Sequence, residues 1–355
     1  MNSKKKVVIA MSGGIDSSVA AALLKDVSGV FMKLFSTSSR GSEERAKEVA
    51  QILKIPFSVL NFEKEFKKKV IDDFLAAYKK GLTPNPCVVC NKEIKFGLLL
   101  EKALALGADY IATGHYAKKQ KIENRKQKIE YKLLKAKDRE KDQSYFLWQL
   151  NQNQLKHILF PVGGYTKEEV KKLAKKFKLP VLKIKESQEI CFVSKTINGF
   201  LNRHLKPKPG KIIWATPDVA QPKIVGEHQG LIFYTIGQRK GLGLSGGPWY
   251  VLDKDFKKNL LIVTQNQKDL YKKELICEKV NWISGKPPKL PLKVKAKIRY
   301  RHQPASAKII KPETWNRKHK KYKIVFSRAQ RAITPGQSVV FYQGQELLGG
   351  GIISL

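Results

Sequence analysis

VVIAMSGGIDSSVAAALL, residues 7–24, sets how the first half of this chain folds. Residues 7–10 form a short apolar run of the kind found in strands covered on both faces of a parallel sheet. Gly13 and Gly14 carry no β-carbon, so the backbone there can turn sharply and approach a ligand closely. From about Asp16 the residues Val19, Ala22 and Leu23 recur on one helical face. A helix start offers unpaired N–H groups and a partial positive charge, which suits an anion. No Gly-Lys-Ser/Thr follows, so this is not the Walker type of phosphate loop. On composition alone, a serine-capped strand-to-helix turn competes with a cradle for a nucleotide phosphate.

Outward from that segment, strand and helix alternate to about residue 115. Strands are expected at 29–34, 57–62 and 110–113, and helices at 42–53, from 63 to about 79, and at 93–106. This predicts an α/β fold with a doubly wound parallel sheet, in which ligands sit beyond the carboxyl ends of the strands. Gly114, His115 and Tyr116 close the last of these strands and are expected at the same crevice. Residues 118–135 read as an exposed, lysine-rich hairpin. Helices follow at 142–150 and 166–179, the second opening on the capping box Thr166-Lys167-Glu168-Glu169. The string PKPG at 207–210 marks a break. Short strands and a glycine-rich loop (235–247) occupy 196 to about 272. From about 275 the strands are frequent: 292–300, 305–310, 322–326, 338–342 and 346–353, the pattern of a small β-barrel. The expected division is 1–195 for a nucleotide-binding catalytic domain, 196–273 for a small central domain and 274–355 for the barrel.

The 355 residues carry a formal charge of +39, and 58 of the 69 basic side chains are lysine. Such a balance favours a nucleic-acid partner, because neutralising phosphates releases counterions. Lysine enrichment of ordinary solvated positions also contributes to it. No apolar run approaches a membrane span, and the first residues enter a strand without a signal-peptide pattern, so a cytoplasmic location and no membrane partner are expected.

Four cysteines, Cys87, Cys90, Cys191 and Cys277, are too few for a disulfide framework. Cys87 and Cys90 form a C-x-x-C pair inside TPNPCVVCNKEIKF (83–96), where two prolines are expected to hold the chain extended. Structural zinc needs four soft ligands and no second pair exists, so no structural metal is expected. Thiol chemistry is the better reading. Cys191 lies in ESQEICFV (186–193), and Cys277 in ELICEKV reads as an inert buried cysteine.

The string SGGIDS resembles the SGGxDS signature of the ATP pyrophosphatases, which cleave ATP between the α- and β-phosphates and transfer AMP to an oxygen. Taken with TPNPCVVCNKEIKFG, IATGHYA, KDQSYFLWQL, ICFV, GEHQGLIFYTIGQRKGLG, PWYV and TPGQSVVFY, in that order, the whole chain resembles the bacterial tRNA-specific 2-thiouridylases. The resemblance implies replacement of the 2-oxygen of the wobble uridine by sulfur, with ATP and Mg2+ as cofactors and the tRNA anticodon loop and a persulfide sulfur-donor protein as partners. Adenylation turns a poor leaving oxygen into AMP, with magnesium offsetting phosphate charge. A thiolate carries sulfur as a persulfide and a second thiol releases it. By motif match Cys191 is the persulfide carrier and Cys90 its attacking partner. A transient disulfide between them requires α-carbons within about 7 Å.

The same resemblance assigns ATP binding to Ala10, Met11, Ser12, Gly13, Gly14, Ile15, Asp16 and Ser17, with Met32 and Gly114 at neighbouring strand ends. It assigns the target base to Asn85, Pro86 and Cys87, although aspartate is usual where Cys87 stands, which puts a general-base role there in doubt. Contacts to tRNA fall on His115, Lys141, Asp142, Gln143, Arg299, Tyr300, Arg301 and Gln337, with arginine forks for phosphates and Tyr300 for stacking on a splayed base. Other ATP pyrophosphatases, such as amidotransferases or lysidine-forming tRNA ligases, do not need the separated thiols. A noncatalytic basic RNA-binding protein is the competing reading from another class, and it predicts salt-sensitive RNA binding without ATP consumption.

Overall fold

A computed structural model describes every residue except 1–4, 36–39, 124–126, 183–189, 215–220, 313–320 and 355. The first part of the ESQEICFV stretch, 186–189, therefore lies outside the described residues, whereas Cys191 lies within them.

Five strands form the first sheet: β1 (Val7–Ala10), β2 (Val27–Lys33), β3 (Phe57–Asn61), β4 (Tyr110–Ala112) and, later in the chain, β7 (Ile158–Leu159). Their order is β3-β2-β1-β4-β7 and every pairing is parallel. The order reverses at β1, so the loop after it opens at the switch point where ligands bind in such sheets. Ile9 at the centre of β1 is completely buried, as a strand covered on both faces requires.

Two helical readings change. Residues 83–96 are not an extended loop: Pro86–Cys90 is a helical turn with Pro86 in its first turn, and it continues as a π-helical stretch (Asn91–Leu98) and an α-helix (Leu99–Ala105). Proline suits the first turn because its missing N–H would find no intrahelical partner there. Residues 142–150 hold only a 3-10 turn, Ser144–Leu147. The helix Lys167–Lys176 has its predicted capping box, with Thr166 Oγ1 accepting from the Glu169 N–H and Glu169 from the Thr166 N–H. Thr166→Ala is expected to lower stability by about 1 kcal/mol in urea denaturation, with the slope of the transition unchanged.

The hairpin is present as β5 (Ala117–Glu123) and β6 (Ile129–Lys135), but it is not simply exposed. Leu133 and Leu134 of β6 pair with Leu347 and Glu346, and Leu133 is completely buried. The hairpin thus extends the C-terminal sheet from within the first domain.

The middle of the chain starts with a helix that sequence periodicity did not flag, Ile197–His204, capped by Thr196. Beyond it a four-stranded sheet forms from β8 (Gly210–Trp214), β9 (Lys223–His228), β10 (Tyr250–Asp255) and β11 (Leu260–Thr264), in the order β10-β11-β8-β9. The last strands are β12 (Tyr271–Trp282), β13 (Leu292–Lys297), β14 (Ala305–Ile310), β15 (Tyr322–Arg331), β16 (Ser338–Gln343) and β17 (Glu346–Ile353). They follow one another as β12-β15-β14-β13-β16-β17, and pairing of β12 with β17 closes the barrel. Its interior includes Cys277, Ile309, Ile324, Val339 and Phe341. Closure removes the free edges that an open antiparallel sheet would expose.

Trp148 and Tyr145 join the first domain to this barrel. Both are completely buried, the indole N–H donating to Ser338 Oγ at 3.0 Å and the Tyr145 hydroxyl to the Ser338 carbonyl at 2.9 Å. Asn281 of β12 returns the tie by donating to the Trp148 and Leu150 carbonyls.

Candidate active site: a phosphate loop beside three thiols

After β1 the chain turns through Ser12, Gly13 and Gly14 into the helix Ile15–Ala22. Gly13 has φ +72°, and a β-carbon there would run into the Ser42 carbonyl. Gly14 is the N-cap and supplies no side-chain bond to the first turn, which leaves helix-start N–H groups for a ligand. Ser17 fixes the turn from inside: its hydroxyl accepts from the Ser12 N–H at 3.1 Å and donates to the Gly14 carbonyl at 3.0 Å. Met11 and Ile15 point into the core, so only their backbone is available to a nucleotide. Met32, at the end of β2, packs against the same buried cluster as Ala10. Gly114 sits against the helix start, where a β-carbon would lie 2.6 Å from the Ser17 nitrogen.

Asp16 is held from the opposite side. The Tyr116 hydroxyl and the Lys167 ammonium both donate to its Oδ1 at 2.7 Å. Its Oδ2 has no partner among the described residues. A nucleotide-borne magnesium needs only one or two carboxylates besides the phosphates, and Asp16 fits that demand. Among the described residues no group of three or more His, Cys, Asp or Glu side chains is arranged to hold a metal ion by itself.

The thiols lie at the other flank of the loop. Cys87 and Cys90 are three apart on the turn Pro86–Cys90, which puts them on one side of it. Cys87 is exposed; Cys90 is buried in the cluster that also holds Ala10, Phe66 and Ile94. Phe192 packs against this cluster, its ring meeting Phe66 at 5.8 Å and Phe74 at 5.3 Å. That aromatic anchor carries the adjacent Cys191 to Cys90 from 101 residues away. All three thiols are free. Burial pushes Cys90 up to about 11 and Cys191 up to about 12, and the charge of Cys90, then of Cys87, raises Cys191 further. Cys87 and Cys191 each keep exposed residue surface, but protein packed around their sulfur atoms desolvates the thiolates, and this raises Cys87 as well. Lys95 opposes the rise at all three. Cys277 is sealed in the barrel, its thiol raised by burial, and takes no part.

The His115 imidazole is held well below its usual range, first by burial and then by Lys95. Its Nδ1 is 2.8 Å from Thr113 Oγ1, and its ring lies 5.6 Å from Phe96.

Several residues expected at tRNA are occupied within the protein. Asp142 is buried and accepts from the Ala136 N–H and the Ser144 hydroxyl. Gln143 accepts from the Tyr116 N–H at 3.0 Å. Arg299 donates to the Ala332 carbonyl at 2.7 Å and reaches the Ile236 carbonyl at 3.3 Å. Gln337 donates to the Thr83 carbonyl at 2.8 Å and accepts from Asn85, whose Oδ1 takes the Ser338 N–H at 2.7 Å. The cysteine turn is thus fastened to the barrel through Asn85. Arg301 is exposed and Lys141 half-buried. Tyr300 is half-buried, with Phe146 at 4.5 Å and the Lys297 ammonium 5.3 Å from its ring.

Sequence reasoning passed over Lys95 and Arg45, read Lys167 only as part of a capping box, and placed Tyr116 at the crevice without its bond to Asp16. Lys95 lies inside the quoted TPNPCVVCNKEIKF string, five residues after Cys90 in a π-helical stretch where that spacing recurs on one side. Arg45 donates to the Gly13 carbonyl at 3.3 Å and was hidden in an ordinary amphipathic helix.

With the loop and thiols in one site, the comparisons with known proteins become specific. MnmA, the tRNA-specific 2-thiouridylase of Nitrosomonas eutropha, is 46% identical, with 99% of each chain covered. The chain belongs to the tRNA-specific 2-thiouridylase family. Thiouridylases of the same name from Thermoanaerobacter pseudethanolicus and Clostridium perfringens are 47% and 44% identical, again over 99% of this chain and 99% and 98% of theirs. Family profiles described as a tRNA methyl transferase HUP domain, a tRNA methyl transferase PRC-barrel domain and an aminomethyltransferase beta-barrel domain match residues 5–195, 198–265 and 272–353. The 2-thiouridylase fold accordingly runs from a parallel α/β domain through a small middle domain to a closed barrel.

Proposed function

We propose that this chain uses ATP to exchange the 2-oxygen of the wobble uridine in tRNA for sulfur. The observation that carries the reading is the shared cluster of Ala10, where the phosphate loop begins, and Cys90, with Cys191 brought beside it by Phe192. Two of the matching profiles are described by methyl transfer, but a phosphate loop next to clustered thiols suits activation by ATP and sulfur delivery. The loop residues Ala10 to Ser17, with Met32 and Gly114, would hold ATP, and Asp16 would hold a magnesium ion that, when bound, offsets phosphate charge.

The uridine 2-oxygen attacks the α-phosphorus, pyrophosphate leaves, and the oxygen is converted into an AMP leaving group. Cys191 carries sulfur as Cys191–S–SH, received from a persulfide donor protein. The Cys90 thiolate attacks Cys191 Sγ, forming the Cys90–Cys191 disulfide and releasing hydrosulfide, which adds to C2 as AMP departs. An external dithiol then reduces the disulfide. Asn85, Pro86 and Cys87 face the target base, and Cys87 supplies a thiol where a carboxylate is usual. Contacts to tRNA fall to His115, Lys141, Asp142, Gln143, Arg299, Tyr300, Arg301 and Gln337, of which Arg301 is exposed and Lys141 and Tyr300 are half-buried. The reaction belongs to the cytoplasm, where tRNA is handled. No described helix is long and apolar enough to cross a membrane.

The test is mass spectrometry of nucleosides from unmodified tRNA incubated with the protein, ATP, magnesium and a persulfide source. 2-Thiouridine that depends on ATP supports the reading. ATP cleavage to AMP without a thionucleoside refutes the substrate while retaining the activation chemistry.

A pH profile tests the thiols separately. Cys90 is protonated at neutral pH, so its thiolate increases about tenfold per pH unit well below 11. Single-turnover sulfur release is expected to climb with a slope near one between about pH 7 and 9. Lys95→Met removes the cation that favours all three thiolates. It is expected to slow release about three- to tenfold at fixed pH and move the profile to higher pH.

A further inference from the structure

A disulfide between Cys90 and Cys191, once sulfur has been released, is awkward to reopen from outside. Cys90 is 7% exposed, so a reductant meets only the Cys191 sulfur. Attack there leaves Cys191 blocked as a mixed disulfide until a second thiol acts. Phe192, packed among Phe66, Phe74 and Phe200, holds the Cys191 segment in place. A third thiol stands beside the pair. Cys87 lies three residues before Cys90 on the turn Pro86–Cys90, and on top of burial its charge raises both Cys90 and Cys191, so it shares their immediate surroundings. Side chains three apart on a helical turn have β-carbons about 5–6 Å apart, against about 3.5–4.5 Å in a disulfide, so a small tightening of the turn links the two.

We propose that Cys87 is a resolving thiol that attacks Cys90 Sγ of the Cys90–Cys191 disulfide and returns Cys191 to the reduced state. This rests on the sulfur-transfer reading above. The Cys87–Cys90 bond forms as the Cys90–Cys191 bond breaks, and the electron pair goes to Cys191 Sγ, which takes up a proton in place of the one Cys87 gives up. No net oxidation occurs: the oxidising equivalent moves to the C-x-x-C pair. Cys191 is then ready for the next sulfur, and the external dithiol reduces a bond whose Cys87 end keeps exposed surface. A carboxylate at position 87 could not take this part.

The experiment uses the full chain without tRNA or ATP. The protein is loaded with inorganic polysulfide, freed of excess reagent, left to release hydrosulfide, and quenched by alkylation for peptide mapping. Wild type is expected to hold one Cys87–Cys90 linkage for each hydrosulfide released, with Cys191 alkylated, and to take up a second sulfur on Cys191 without added reductant. Cys87→Ser is expected to stop at Cys90–Cys191 and, per hydrosulfide released, to reload about tenfold less. Cys191→Ser should form no Cys87–Cys90 linkage, because that bond is made from the Cys90–Cys191 disulfide. Wild type that retains Cys90–Cys191 with Cys87 alkylated overturns the proposal, as does Cys191→Ser protein that links Cys87 to Cys90 as readily as wild type. Wild type that releases no hydrosulfide sinks the sulfur-transfer reading itself.

Discussion

Cys191→Ser protein is expected to keep forming AMP from ATP in the presence of tRNA while its 2-thiouridine yield falls by about 10³-fold or more. The serine hydroxyl cannot hold a sulfane sulfur, so the sulfur route is cut and the phosphate loop, on the other flank of Ala10, is left as it was. Phe192 remains in place among Phe66 and Phe74, so the segment keeps its position. Cys90→Ser should differ in kind: a persulfide accumulates on Cys191, visible as a 32 Da increment (about the mass of one sulfur atom) in the intact protein, and sulfur release stalls. Serine at 87 tests the third thiol. If Cys87 can replace Cys90 in attacking the persulfide, Cys90→Ser retains slow release that the double variant loses. A Cys191→Ser protein that thiolates tRNA at the wild-type rate would remove Cys191 from the chemistry.

Gly114→Ala is expected to abolish ATP binding and to cost about 2–4 kcal/mol of stability, although it adds one methyl group to a residue that reads as an ordinary strand end. The new β-carbon would sit 2.6 Å from the Ser17 nitrogen and 2.8 Å from the Asp16 carbonyl carbon. Both are backbone atoms at the start of the helix, so no flexible side chain can give way. Either β4 or the phosphate loop has to move, and Asp16 moves with the loop away from Tyr116 and Lys167. Urea denaturation and ATP titration measure the two effects. A stable Gly114→Ala protein that binds ATP normally would show that the loop tolerates displacement.

The parallel sheet was legible because buried strands such as β1 are continuous apolar runs and the strand-helix alternation is regular. The barrel was legible from short strands between turns. Pro86 was misread because proline is equally at home in an extended chain and in the first turn of a helix; the distinction depends on what the following residues pack against, here the cluster around Cys90. Lys167 was read only as part of a capping box, since its partner Asp16 is 151 positions away and no local pattern encodes that distance. Asp142, Gln143, Arg299 and Gln337 show the opposite limit. Their residue types suit RNA, and the fold also engages their polar atoms with backbone and side-chain groups such as the Ala332 carbonyl, the Ser144 hydroxyl and Asn85, contacts that no local pattern announces. The proximity of Cys191 to Cys90 had no local signature beyond the motifs, because Phe192 achieves it through tertiary packing alone.

The ties from Asn85 to Gln337 and Ser338 have a consequence for the order in which the molecule comes into being. During synthesis the phosphate loop, all three thiols and Lys167 have left the ribosome long before residues 334–338, yet the cysteine turn receives its last anchors only from that late segment. A half-made chain can therefore assemble the cluster around Cys90 but lacks the hydrogen bonds that fasten the cysteine turn to the barrel. That last fastening waits until the final strands close the barrel.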